Sequence, residues 1–421
     1  MPSRNRSAGF SLVLLLSVAL LAGCREDETL NPPDLSNNNG LFQRYVSLGN
    51  SITAGFQSAG INDSTQQRSY AVLVAQQAGA PFSVPSLRQP GCPPPFLRNT
   101  TQQRVGGGTP TTCALRAPNQ YPYVSNLGVP GASARDIISN FASPSAANAL
   151  TQFILGGRSQ LQAMTDAQPT FVSLWIGNND VLGALTNSAN PGNPALVTPV
   201  AQFQATYQAI VDSVAATGAS VVLIGVADVA NIPYSSVGAI YWCLKNGGCP
   251  PPLPPANPNF QLNPSFQVAA SCAPIPPAGG GLATRVPWTV GIAGFLQTVS
   301  TPGFTFTLDC ANEAHAITAA ELQGLGTAVA GYNAFISQKA QEHAWAYVNP
   351  NPTLASGYLN GTSVLAFPDI TQVQATGNVL FGTWFSLDGV HPSSVAHRIV
   401  ADSIISAINA TYTTTIPFVG P

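Results

Sequence analysis

Charge is what this sequence has least of. Only 8% of its 421 residues are Asp, Glu, Lys or Arg, against roughly 25% in ordinary globular chains. With 15 basic and 17 acidic residues the net charge is −2. No basic stripe is available to displace counterions from phosphate, which excludes nucleic acid as a partner. The N-terminal apolar run, Leu12 to Gly23, falls short of the roughly 20 residues a bilayer-spanning helix needs. There is no G-x-S-x-G elbow of the common α/β-hydrolase type. No cysteine pair has C-x-x-C spacing and histidine occurs only 4 times, so zinc is disfavoured and no cofactor is expected.

Hydrophobic residues make up 45% of the chain, enough for a sizeable core and unlike a disordered composition. Gly 38 and Pro 37 imply many long loops. The surface must be polar but weakly charged, which reads as an exported chain. Arg4 and Arg6 before the Leu12–Gly23 run fit a secretory signal over residues 1–23. Small residues directly before Cys24 resemble a bacterial lipobox, with Cys24 lipidated and membrane-anchored. Residues 24–40 then read as a tether, able to reach ~50 Å when extended. Arg25 resembles outer-membrane sorting, which places the protein in the bacterial cell envelope. The other six cysteines suggest up to three disulfides. Sequence-near pairing is expected: Cys92–Cys113, Cys243–Cys249 and Cys272–Cys310.

Residues 41–421 read as a single domain. Strands are predicted over Phe42–Leu48, Thr170–Ile176, Ser220–Val226 and Trp345–Val348. Several are continuous apolar runs, as in parallel strands covered on both faces. Helices are predicted over Ser69–Ala78, around Val200–Val214 and Leu322–Ile336, and over Ser393–Asn409, the middle two from apolar residues at three- and four-residue intervals. The alternation implies a doubly wound α/β layer fold. Two Pro/Gly-rich, cysteine-containing segments interrupt it, at about 89–119 and 234–312, and read as insertions. The aromatics Phe260, Phe266, Trp288, Phe295, Phe304 and Phe306 of the second either line an acyl cleft or form a small core of its own. Gly324, Gly326 and Gly331 lie within a helical pattern and read as close helix packing.

The chemistry begins with His391, the one histidine with a carboxylate three residues earlier, Asp388-Gly389-Val390-His391. Such an acid can fix the imidazole tautomer. Ser51 follows the first strand, at the strand's carboxyl end where ligands bind in these folds, although a serine there also caps helices. Asn126–Ser133 and Gly177–Asp180 supply glycine and amide groups able to face an oxyanion, or to make turns.

These four pieces, in this order, resemble the conserved blocks of the SGNH (GDSL) hydrolase family, over a frame from about Tyr45 to Asn409 without the insertions. The resemblance implies a flavodoxin-like three-layer α/β/α sandwich with about five parallel strands. It implies ester hydrolysis, with Ser51 as nucleophile, His391 as base and Asp388 as its partner. The Ser51 and Gly131 N–H groups and the Asn179 amide would form the oxyanion hole. The family's usual aspartate before the serine is Asn50 here, which can keep a similar turn hydrogen bond. The leading expectation is a membrane-tethered lipase or esterase acting on lipid or other acyl esters. The alternatives are a deacetylase of acetylated polysaccharide and a surface-binding lipoprotein without turnover. The sequence does not address oligomeric state.

Overall fold

The computed structural model describes residues 40–114, 116–118, 122–139, 151–274 and 280–420. The proposed signal and Cys24 lie outside them. Four strands form a parallel sheet in the spatial order β1 (Tyr45–Gly49), β2 (Phe171–Trp175), β3 (Ser220–Ile224) and β4 (Ala346–Val348). About five were expected. The fifth position, outside β1, is a single parallel bridge between Ser47 and Asn126. Ser47 N–H donates to Ser125 O and Leu127 N–H to Ser47 O, each at 2.8 Å. The segment then turns through Gly128-Val129-Pro130-Gly131; proline has no N–H with which to extend a ladder.

The continuous apolar runs follow from burial on both faces. Successive side chains of a strand point to opposite sides. Val46, Leu48, Val172, Leu174, Val221 and Leu223 enter one core, and Tyr45, Phe171, Trp175, Val222 and Ile224 enter the other. The first face is covered by α3 (Gln160–Ala167), α5 (Val200–Ala215) and α6 (Ala319–Glu342). The second is covered by α2 (Tyr70–Gln77) and α8 (Ser394–Tyr412). The result is the expected three-layer α/β/α sandwich. Helix starts are chemically marked: Ser69 caps α2, Thr318 and Glu321 form a capping box on α6, and Ser393 caps α8.

Close helix packing holds for one of the three glycines named above. A Cβ at Gly331 would come within 2.9 Å of Val200 on α5, whereas Gly324 and Gly326 face open space. The three disulfides pair as expected, Cys92–Cys113, Cys243–Cys249 and Cys272–Cys310. Each staples an insertion to itself. In the second insertion Phe260 stacks on Phe295 at 4.1 Å and both meet Phe266 edge-on. These rings join the same buried cluster as the first-face core, so they neither line a cleft nor form a separate core.

Candidate active site

β1 ends at Gly49, and Asn50 starts the short helix α1 (Ser51–Ala54). Asn50 Oδ1 accepts from Ile52 N–H at 3.0 Å, the turn hydrogen bond an aspartate would make. Gln160 on α3 clasps the strand end from the other side. Its Oε1 accepts from Gly49 N–H at 2.9 Å and its Nε2 donates to Gly49 O at 2.8 Å. The turn from Asn126 packs against α1 so tightly that a Cβ at Gly128 would meet Ala54 N at 2.7 Å. Ser51 is therefore held on a fixed backbone, with little of it exposed.

His391 comes from a turn just before α8. Gly389 takes a left-handed φ of 72°, which glycine adopts without a Cβ penalty. The chain reverses there and Ser386 N–H donates to His391 O at 2.9 Å. His391 Nδ1 lies 2.8 Å from Asp388 Oδ2, and His391 Nε2 lies 2.9 Å from Ser51 Oγ. The hydroxyl, 340 positions from the imidazole in the chain, forms one hydrogen-bonded line with it and the carboxylate.

The carboxylate of Asp388 is saturated with donors. Oδ1 accepts from the N–H groups of Val390 and His391 and from Ser386 Oγ. Oδ2 accepts from Ala59 N–H at 2.7 Å besides the imidazole. Burial pushes this carboxyl up, but the His391 charge and the hydrogen bonds outweigh it and bring the pKa down to about 2. Asp388 is thus an anion at neutral pH, suited to stabilise an imidazolium.

Several of these supports carry no sequence signal. Ser58 and Ala59 both have φ of 54°, uncommon for residues with a Cβ. This conformation aims Ser58 N–H at Ser386 Oγ and Ala59 N–H at Asp388. Both insertions reach the same place. Arg104 of the first donates to Ala59 O at 2.7 Å, and Asn99 donates to Leu387 O at 2.8 Å. Trp288 of the second donates through Nε1 to Asp388 O at 3.3 Å.

The two expected oxyanion partners differ in placement. Asn179 opens α4 (Asn179–Leu185) after β2 and lines the cleft that holds Ser51 and His391. Its Nδ2 donates to Ala132 O at 2.8 Å. Gly131 is half-buried one residue before Ala132, outside the residues that line this cleft. The neighbouring Asp180 accepts from Ala134 N–H at 2.9 Å, so the two loops are stitched together twice. Burial raises the Asp180 carboxyl to about 6 despite the hydrogen bonds it accepts.

Among the described residues no three His, Cys, Asp or Glu side chains cluster as metal ligands, and no helix is long and apolar enough to cross a membrane. The arrangement suits nucleophilic acyl transfer: a hydroxyl hydrogen-bonded to a base that is oriented by a third group.

The chain resembles several solved structures at low identity. One is a variant of the acetyl-xylooligosaccharide esterase Axe2 from Geobacillus stearothermophilus, at 11% identity over 89% of this chain and 95% of that one, TM-score 0.37. A second is the acetyl xylan esterase AlAXEase, at 13% identity over 86% and 99%, TM-score 0.35. A third is described as a GDSL-like lipase, from Parabacteroides merdae, at 12% identity over 87% and 96%, TM-score 0.33. Among curated proteins, none matches this sequence. The family model for GDSL-like lipase/acylhydrolase matches residues 45–404, a span that holds the sheet, Ser51, Asp388 and His391 alike. The chain belongs to the GDSL-like lipase/acylhydrolase family.

Proposed function

We propose that this protein is a serine ester hydrolase of lipase/esterase type that works through an acyl-enzyme on Ser51. The observation that carries the reading is the continuous line from Ser51 Oγ through His391 to Asp388, at 2.9 and 2.8 Å. His391 Nε2 takes the Ser51 proton as Oγ attacks the ester carbonyl. The anionic oxygen is met by the Ser51 N–H and the Asn179 amide, which line the cleft, and by the Gly131 N–H, brought up by the loop that Asn179 holds through Ala132 O. His391 then hands its proton to the leaving alkoxide, and water repeats the sequence to free the acid. These proton and acyl transfers call on Ser51, His391 and Asp388 alone for their covalent and proton-transfer steps. The substrate is a lipid or another hydrophobic acyl ester, a choice favoured by the apolar cleft that begins at Ser51 and His391.

Labelling with a fluorophosphonate followed by peptide mapping tests the nucleophile. An adduct on Ser51 is expected; a folded protein that stays unlabelled at Ser51 would instead be a surface-binding lipoprotein. The protein is exported and anchored to the outer membrane through lipidated Cys24. The lipobox-like sequence supports this, as do three disulfides, which persist in oxidising compartments. Metabolic labelling with an alkyne fatty acid should mark the wild type and not Cys24→Ala; equal labelling of both rules the anchor out.

A further inference from the structure

The cleft beside Ser51 does not stop at the catalytic line. It continues as a groove between α7 (Asn351–Leu359) and α8. Its floor is the carboxyl end of the sheet: Trp175 of β2, Ile224 of β3 and Val348 of β4. These residues belong to the second-face layer, so the groove is a place where that layer is left unfilled. Leu354 forms one wall; Ile399 and Val400 form the other. The space, open solvent included, is about 970 Å³.

We infer that this groove is the acyl-chain site and that Val400 and Ser403, at its far end on α8, set the chain length it accepts. The inference rests on the ester-hydrolase reading and adds the place and gauge of the acyl group. Two observations favour an alkyl chain over a sugar or a peptide, and the chemistry of the acyl-enzyme then favours the acyl side. No charged side chain lines the groove. The Ser403 hydroxyl donates to Ile399 O at 2.9 Å within its own helix, so the far end offers no free hydroxyl donor. The groove opens on Ser51 and His391 alike, but the alcohol leaves once His391 has protonated it. The acyl group stays bonded to Ser51 Oγ until water attacks, so it is the part that gains from a lasting apolar seat. From Ala396 to Ser403 the α8 wall runs about 10 Å at ~1.5 Å per residue, longer than an acetyl group can use.

The test is kcat/KM for p-nitrophenyl acetate, butyrate, octanoate and palmitate, in the wild type, Val400→Trp and Ser403→Phe. Each methylene seated in the groove should raise kcat/KM about fourfold, which corresponds to about 0.8 kcal/mol. Octanoate should then exceed acetate by ~10² or more. Val400→Trp should leave acetate within about twofold and cut octanoate at least about tenfold. Ser403→Phe, at a half-exposed position, does the same in a variant that disturbs packing less. The inference is overturned by a wild-type preference for acetate, or by both variants lowering acetate and octanoate equally. A length preference that follows the alcohol of alkyl acetates overturns it too. A separate arm does not depend on turnover: decanoate binding to Ser51→Ala, measured by calorimetry, should weaken at least about tenfold on adding Val400→Trp. If no ester is hydrolysed and Ser51 takes no label, the esterase reading fails, and this arm alone decides the groove: unweakened decanoate binding, or none at all, overturns it.

Discussion

The two halves of the active site are held in different ways. Ser51 stands on the sheet frame: β1 ends beneath it, Asn50 caps its helix, Gln160 clasps Gly49 and Gly128 packs close behind. Asp388 and His391 stand on a turn away from the sheet and are braced by loops. Ala59 N–H reaches Asp388, Arg104 and Asn99 arrive from the first insertion, and Trp288 arrives from the second. The position of Ser51 thus comes from the end of β1 and the elements packed against it. The position of the Asp388–His391 turn comes in part from segments that look, in sequence, like interruptions. The insertions therefore brace the Asp388–His391 turn.

The comparison can be tested from its strongest effect downward. Ser51→Ala should lower kcat by ~10⁵–10⁶, and adding His391→Ala should cost little more, because the two act as one unit. Ester hydrolysis under saturating substrate measures this, with an unchanged melting curve as the folding control; additive losses would mean the two halves work separately. Asp388→Asn should lower kcat by ~10⁴, since the amide no longer stabilises the imidazolium. A loss below tenfold would make the acid a structural turn residue.

Gln160→Ala strikes the frame half. It strands the buried N–H of Gly49, at about 1–3 kcal/mol, while Gly49 O keeps the Val129 N–H at 3.2 Å. Urea unfolding should show the loss as a lower midpoint; an unchanged midpoint would mean that water or neighbouring groups replace the clasp.

The Asp388 carboxyl adds a pH signature. Its folded pKa, about 2, lies below the ordinary aspartate value of 3.8. It therefore adds stability above pH ~4 that is lost as pH falls toward ~2, worth about 2 kcal/mol. The stability gap between wild type and Asp388→Asn should shrink over that interval in urea titrations. A gap that stays constant with pH would mean the carboxyl is not held as an anion.

Arg104→Ala should have the smallest effect. It frees Ala59 O and lets the Ala59 N–H drift from Asp388, costing about tenfold in kcat with KM nearly unchanged. A rise in KM alone would place Arg104 in substrate binding instead.

Much of the frame was legible beforehand. The runs at Phe171–Trp175 and Ser220–Ile224 are apolar at nearly every position because both sheet faces are covered. The helices showed through their apolar periodicity. Asp388 and His391 were legible because the acid and the imidazole are three residues apart and one glycine closes the turn between them. The fifth strand was not legible, because its loss to a single bridge depends on where the chain bends after Leu127. That Phe260, Phe266 and Phe295 join the first-face core was equally out of reach, since an aromatic ring looks the same in sequence whether it meets a substrate, its own segment or a distant layer.

The sequence alone determined the local terms: strand and helix periods, caps, the Asn50 turn and the short acid–imidazole turn. Each depends on residues near one another in the chain, where backbone geometry leaves few choices. Only the tertiary structure decided that Ser51 and His391 meet at 2.9 Å, that Ser58 and Ala59 turn their N–H groups toward the acid turn, and that a groove stays open between α7 and α8. Those are contacts between distant segments, selected by how whole layers pack, and packing is a property of the assembled volume that no stretch of sequence carries by itself.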